Sequence, residues 1–175
     1  EQRVEVTTQP FSSARLNTSG KGDWRYGRIE VRALLPEGQG TWPAIWMLPT
    51  DEIYGGWALS GEIDILETVN LGAPCEDCDG PVENRMFGTL HFGGAWPHNR
   101  YENRRRTLPT TADGEQQFHV FAIEWTEGEV EWFLDGESYG RLTPDNWGTD
   151  SPAAEGNPNA PFDQRFHLIL NLAIG

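Results

Sequence analysis

The chain has 175 residues, enough for one domain with a real core. A formal net charge of −14 argues against nucleic acid or an anionic membrane as partner, and no apolar run approaches the ~18 residues of a membrane span. With 20 glycines, 12 prolines and 11% aromatics, the composition favours a turn-rich β protein over a helical one.

The predicted elements follow in chain order. Phe11 to Asn17 reads as a short strand leading into a glycine-rich turn at Thr18 to Asp23. Tyr26 to Leu35 alternates, with Ile29, Val31 and Ala33 on one face and Arg28, Glu30 and Arg32 on the other. Pro36 to Gly40 is a turn cluster. Trp42 to Leu48 is the next strand, with Pro43 confined to its start. Glu62 to Val69 follows a loop that carries Trp57.

The polar stretch Asn70 to Asn84 is long enough to be functional or mobile. Met86 to Phe92 is a strand with Thr89 and His91 on one face. Gly93 to Arg106 reads as a polar loop holding Trp96, and Arg104-Arg105-Arg106 as a solvated basic run. Phe118 to Trp125 and Val130 to Leu134 are strands. Asp135-Gly136 marks a tight hairpin into Tyr139 to Leu142. Thr143 to Pro161 is a loop, and Phe166 to Ile174 a final apolar strand. Short strands separated by turns predict an all-β sandwich or barrel.

One stretch stands apart. Glu62-Ile63-Asp64-Ile65-Leu66-Glu67 puts three carboxylates within six residues. Period-2 alternation places Glu62 and Asp64 on one face and leaves Glu67 on the other. One extra residue at Ile65–Leu66, a β-bulge, brings Glu67 round to join them. Glu62 and Glu67 are then about 13 Å apart at Cα, at roughly 3.3 Å per residue. Two Glu side chains leaning together leave about 5 Å between carboxyls, the separation of retaining glycosidases rather than inverting ones. On residue chemistry alone, a solvated acidic face or a calcium site explains such a row as well.

The bulged E-x-D-x-x-E pattern resembles that of glycoside hydrolase family 16, in its laminarinase-like branch. Tyr26-Gly27-Arg28-Ile29-Glu30-Val31-Arg32, Trp42-Pro43-Ala44-Ile45-Trp46-Met47-Leu48-Pro49, Gly88-Thr89-Leu90-His91 and Phe118 to Trp125 are also similar to that branch. The resemblance runs from about Ser13 to Ile174, nearly the whole chain. It implies a β-jelly-roll of two curved antiparallel sheets with a concave sugar-binding cleft, residues 1–175 being one catalytic domain that lacks flanking strands at both ends. It implies endo-hydrolysis of β-1,3-glucan (laminarin) with retention, by double displacement. Mixed-linkage glucanase, agarase, or a non-catalytic glucan-binding module on the same fold are the alternatives.

By that resemblance Glu62 matches the nucleophile, Glu67 the acid/base and Asp64 an auxiliary carboxylate. Trp57 matches a sugar-stacking tryptophan and Arg28 a cleft arginine, although a salt bridge to Glu30 or Asp64 explains Arg28 equally. Trp42, Trp46 and Trp96 are further substrate-binding candidates, the first two alternatively core residues. His91 is a candidate for hydrogen bonding to the catalytic region or a structural histidine. No cofactor or metal is required by this chemistry, and the family leaves room for a structural calcium. The expected partner is a β-glucan polysaccharide bound by a monomer.

Cys75 and Cys78 form Cys-Glu-Asp-Cys in an acidic loop. Two ligands without a histidine pair are a poor zinc site, and a thioredoxin-like βαβ context is absent. A local disulfide is expected, with free thiols the alternative. A disulfide suits a secreted or periplasmic protein.

Overall fold

A computed structural model describes residues 11–111, 114 and 116–174. Residues 1–10 and 175 of the single-domain reading lie outside the described residues. Among the described residues, eleven strands form two antiparallel sheets. The strands are β1 (Arg15–Asn17), β2 (Asp23–Trp24), β3 (Gly27–Ala33), β4 (Thr41–Pro49), β5 (Glu62–Glu67), β6 (Arg85–Gly93), β7 (Asn99–Thr107), β8 (His119–Thr126), β9 (Glu129–Leu134), β10 (Glu137–Leu142) and β11 (Phe166–Ile174). The larger sheet runs β1-β11-β4-β5-β6-β7, with β2 also pairing with β11; the smaller runs β10-β9-β8-β3. The only helical turn among the described residues is the 3-10 segment Pro152–Ala154. No described helix is long and apolar enough to cross a membrane.

The two sheets close on one core. Met47, Ile63, Ile65, Leu66, Met86 and Leu90 come from the larger sheet, and Phe121, Ile123, Trp125, Val130, Trp132 and Leu134 from the smaller. Burying each of these large side chains contributes about 1.5–3 kcal/mol, so the shared interior is what holds the sheets face to face. The Asp135-Gly136 turn has both residues at positive φ (51° and 85°), as a two-residue type I′ hairpin between β9 and β10 requires.

Two strands escaped the sequence reading. β2 is only two residues long and begins at the last residue of the expected turn, Thr18 to Asp23. β7 lies where a polar loop was expected. It is an edge strand, largely exposed, and every residue from Asn99 to Thr107 is paired to β6. Its backbone ladder, not apolar alternation, makes it a strand, so periodicity could not reveal it. Nor is the arginine run wholly solvated: Arg104 lies over Gly140 and donates to the Arg141 carbonyl at 3.1 Å.

Candidate active site

The site is built on the outward face of the larger sheet, and the bulge in β5 creates it. Against β4, Leu66 pairs with Ile45 and Asp64 with Trp46, leaving Ile65 as the extra residue. Against β6, Asp64 pairs with Thr89 and Glu67 with Phe87, so Ile65 and Leu66 both oppose Gly88. Ile65 and Leu66 are both buried in the core. Residues directly opposed in a ladder share a face. Glu62 therefore joins His91 and Tyr101, Asp64 joins Trp46, Thr89 and Asn103, and Glu67 joins Ala44 and Phe87.

The smaller sheet braces this bulge from inside. Trp132 of β9 is fully buried, and its indole N–H donates 2.8 Å to the Asp64 carbonyl. The ring occupies the space that a Cβ on Gly88 would take. Glycine at position 88 thus lets an indole reach the bulged backbone and donate to its carbonyl. At the start of the strand, Gly61 has φ +81°, and a Cβ there would lie 2.9 Å from both Pro161 and Phe162. Neither support was named from sequence; the signals were a glycine in mid-strand and an indole on the facing strand.

Each glutamate receives an indole N–H. Trp57 Nε1 donates 2.5 Å to Glu62 Oε2, and Trp42 Nε1 donates 2.9 Å to Glu67 Oε1. The two rings remain 38% and 44% exposed, so both offer an open face to solvent. Asp64 lies between the glutamates and is 1% exposed. His91 Nε2 stands 3.2 Å from Asp64 Oδ2, yet neither Asp64 oxygen receives a well-directed hydrogen bond. His91 is flanked by Trp57 and Tyr101, each ring centroid 5.9 Å away.

Burial and mutual repulsion set the protonation. Burial, then the Asp64 charge, pushes Glu62 up to about 8. Burial, then Glu67, raises Asp64 well above the usual aspartate range. Burial also raises Glu67, opposed by the Trp42 N–H and by His91. Three carboxyls this close cannot all be ionised near neutral pH, so the site holds protons that a proton donor needs.

A cavity of about 240 Å³ takes in both Glu62 and Glu67, and two more flank them. One, about 350 Å³, is lined by Arg15, Trp46, Leu48, Glu52, Trp57 and Glu62. The other, about 210 Å³, is lined by Trp42, Glu67, Val69, Phe87, Tyr101 and Asn103. Trp46 donates 2.6 Å to Asn171 Oδ1, and Arg15 stacks on its ring at 4.7 Å. Arg15, Tyr101 and Asn103 were not singled out in the sequence because they sit on edge strands without a motif, and Asn171 because it is a lone polar residue inside the apolar strand β11.

Two expected residues stay outside this group. Arg28 lies on the outward face of the smaller sheet, where it pairs with Glu30 and Glu124 at 2.9 Å each and covers Phe133. The alternation of β3 turns it away from the larger sheet, so it is not a cleft arginine. Trp96 is 75% exposed in the turn before β7, and no described hydrogen bond or ring contact ties it to the carboxylates.

Cys75 and Cys78 are joined in a disulfide, with Cα atoms 5.6 Å apart. Among the described residues, the His, Cys, Asp and Glu groups that converge closely are Cys75/Cys78/Glu83 and Glu62/Asp64/His91. Neither offers the all-oxygen shell that calcium takes.

The model of the family described as Glycosyl hydrolases family 16 matches residues 1–160. A Glucan endo-1,3-beta-glucosidase A1 from Niallia circulans is 42% identical over 94% of this chain and 22% of its own length. A Beta-1,3-glucan-binding protein from Penaeus monodon is 41% identical over 95% of this chain and 47% of its own. The crystal structure of the laminarinase catalytic domain from Thermotoga maritima MSB8 superposes with a TM-score of 0.68 at 38% identity, covering 92% of this chain and 58% of that one. The chain therefore spans less than two thirds of the length of each of these relatives.

Proposed function

This chain belongs to glycosyl hydrolase family 16, and on that premise we propose that it hydrolyses internal β-1,3 linkages of a glucan with retention of the anomeric configuration. One observation carries the reading. Two glutamates stand on an open sheet face, each held by an indole N–H, with a fully buried aspartate between them. Solvated surface carboxylates have no need of such buried neighbours, whose repulsion costs stability.

In this mechanism Glu62 attacks the anomeric carbon while Glu67 protonates the departing glycosidic oxygen. A glycosyl ester forms on Glu62. Glu67, now ionised, takes a proton from water, and the hydroxide equivalent cleaves the ester. The Trp57 N–H favours the Glu62 anion at the moment of attack. Asp64, the most buried carboxyl, stands between the two glutamates and is itself raised well above the usual aspartate range. The cavity beside Glu62 takes the part of the chain that becomes esterified, and the groove beside Glu67 takes the leaving part. Trp57 and Trp46 stack sugar faces on the first side, and Trp42 on the second.

The same reading has the protein acting as a monomer outside the cytoplasm. The Cys75–Cys78 disulfide supports that location, since such bonds persist in oxidising compartments. The chemistry needs no cofactor. A second reading, a non-catalytic glucan-binding module, is favoured by the Penaeus monodon relative, which is named for binding alone. The test is a product profile on laminarin, mixed-linkage glucan and agarose, for wild type and Glu62→Ala. Oligosaccharides from laminarin with wild type only, plus rescue of Glu62→Ala by azide as an inverted glycosyl azide, are expected. Laminarin binding without cleavage by wild type would favour the binding module. Cleavage of agarose alone would move the substrate.

A further inference from the structure

Among the described residues, His91 is the ion-pair partner that reaches the three carboxyls, 3.2 Å from Asp64. Among the described residues, no Lys or Arg forms an ion pair with Glu62, Asp64 or Glu67. Asp64 is buried with both oxygens lacking a well-directed hydrogen bond, and the Nδ1 of His91 is likewise buried without a partner. Buried polar atoms of this kind are rare and call for an explanation. Here two such residues, Asp64 and His91, converge with Glu62: one donor atom each from the three lies within 4.8 Å of the others.

We propose that Glu62, Asp64 and His91 form a zinc-binding site whose occupation shuts the catalytic face. A zinc ion holds its ligands at about 2.0–2.2 Å, so neighbouring donors in a tetrahedral shell are about 3.4 Å apart. His91 Nε2 and Asp64 Oδ2 already stand 3.2 Å apart. The ladder fixes the set, because Glu62 opposes His91 directly and Asp64 follows on the same face. Two carboxylates and an imidazole favour zinc over calcium or magnesium, which take oxygen shells of six or more. The fourth position opens to the cleft and keeps a water. On binding, the ion exchanges three waters for the three side chains, and any proton that the two carboxyls hold passes to solvent.

Zinc binding stands independently of the hydrolase reading; its inhibitory effect rests on Glu62 being the nucleophile. The test is equilibrium dialysis of Zn²⁺ with the full chain at neutral pH, using wild type, His91→Gln, Glu62→Gln and Glu83→Gln. Circular dichroism checks that each variant is folded. Glu83→Gln probes the Cys75/Cys78/Glu83 convergence. We expect one zinc per wild-type chain, affinity at least about tenfold weaker in the His91 and Glu62 variants, and no change in Glu83→Gln. Absence of stoichiometric zinc on wild type, or equal binding by folded His91→Gln, overturns the proposal. In laminarin hydrolysis, zinc should raise KM without changing kcat, and a chelator should restore the rate. Zinc that lowers kcat at unchanged KM places the ion elsewhere and overturns the inhibitory role. A protein that binds zinc at this site without hydrolysing any glucan would refute the hydrolase reading and leave the metal site standing.

Discussion

Trp57→Phe isolates one hydrogen bond. The indole N–H reaches Glu62 Oε2 at 2.5 Å, and phenylalanine keeps an aromatic face while removing the donor. A hydrogen bond to an ionised group contributes about 1.5–3 kcal/mol, or roughly one to two pKa units at 1.36 kcal/mol each. Trp57 is 38% exposed, so water replaces part of the lost donor and the lower end applies, about one unit. Glu62 is already raised by burial and by Asp64. Losing the donor raises it further, and the nucleophile must be ionised to attack. The acidic limb of kcat/KM against pH on laminarin should therefore move up by about one unit. On that limb the rate should fall about tenfold. Above it, only a modest loss from weaker stacking should remain. An acidic limb coincident with wild type would refute the assigned role of this bond. A uniform loss at every pH would reduce Trp57 to a stacking platform.

Gly88→Ala should drive a methyl into the buried Trp132 indole; overpacking of about 1–3 kcal/mol should lower Tm by roughly 3–10 °C and cut activity, and an unchanged melting curve would remove Trp132 as the brace of the bulge. Glu62→Gln should alter the pH dependence of stability. The folded carboxyl binds its proton more tightly than the unfolded one, so Glu62 costs wild type stability as pH rises from about 4.5 to about 8; the glutamine variant lacks that share of the loss and keeps those of Asp64 and Glu67. Urea unfolding should show equal stability near about pH 4 and a more stable variant near about pH 9; parallel curves would mean that Glu62 is not held protonated by burial. Intact mass without reductant should be two hydrogens below the reduced mass, and alkylation of Cys75 and Cys78 in native protein would remove the argument for an oxidising compartment.

Much of the site was legible because the chemistry and the strand period disagree. Glu62 and Asp64 fit a simple alternation and Glu67 does not, so a bulge at Ile65–Leu66 was the economical solution, and the register places it there. The two-sheet fold followed from turn residues and from apolar alternation in strands such as β3 and β8. Strand β7 did not announce itself, since an edge strand exposed on both faces has no apolar period, and Tyr101 and Asn103 were hidden with it. Arg28 shows the opposite failure. A motif match carried it into the cleft, while its alternation with Ile29 and Val31 already put it on a face opposite the core, where Glu124 of the neighbouring strand claims it. The brace from Trp132 was out of reach of local pattern, because it joins residues 68 positions apart across the core.

Double displacement requires Glu62 to attack the sugar itself, and the stereochemistry of the first product tests that most directly. Freshly dissolved protein should be mixed with laminarin and the anomeric protons followed by NMR before mutarotation sets in. Mixed oligosaccharides released as the β-anomer, decaying later toward equilibrium, are the predicted result. Initial release of the α-anomer would mean that water attacks in place of Glu62, and would contradict the double-displacement mechanism assigned to this bulged strand.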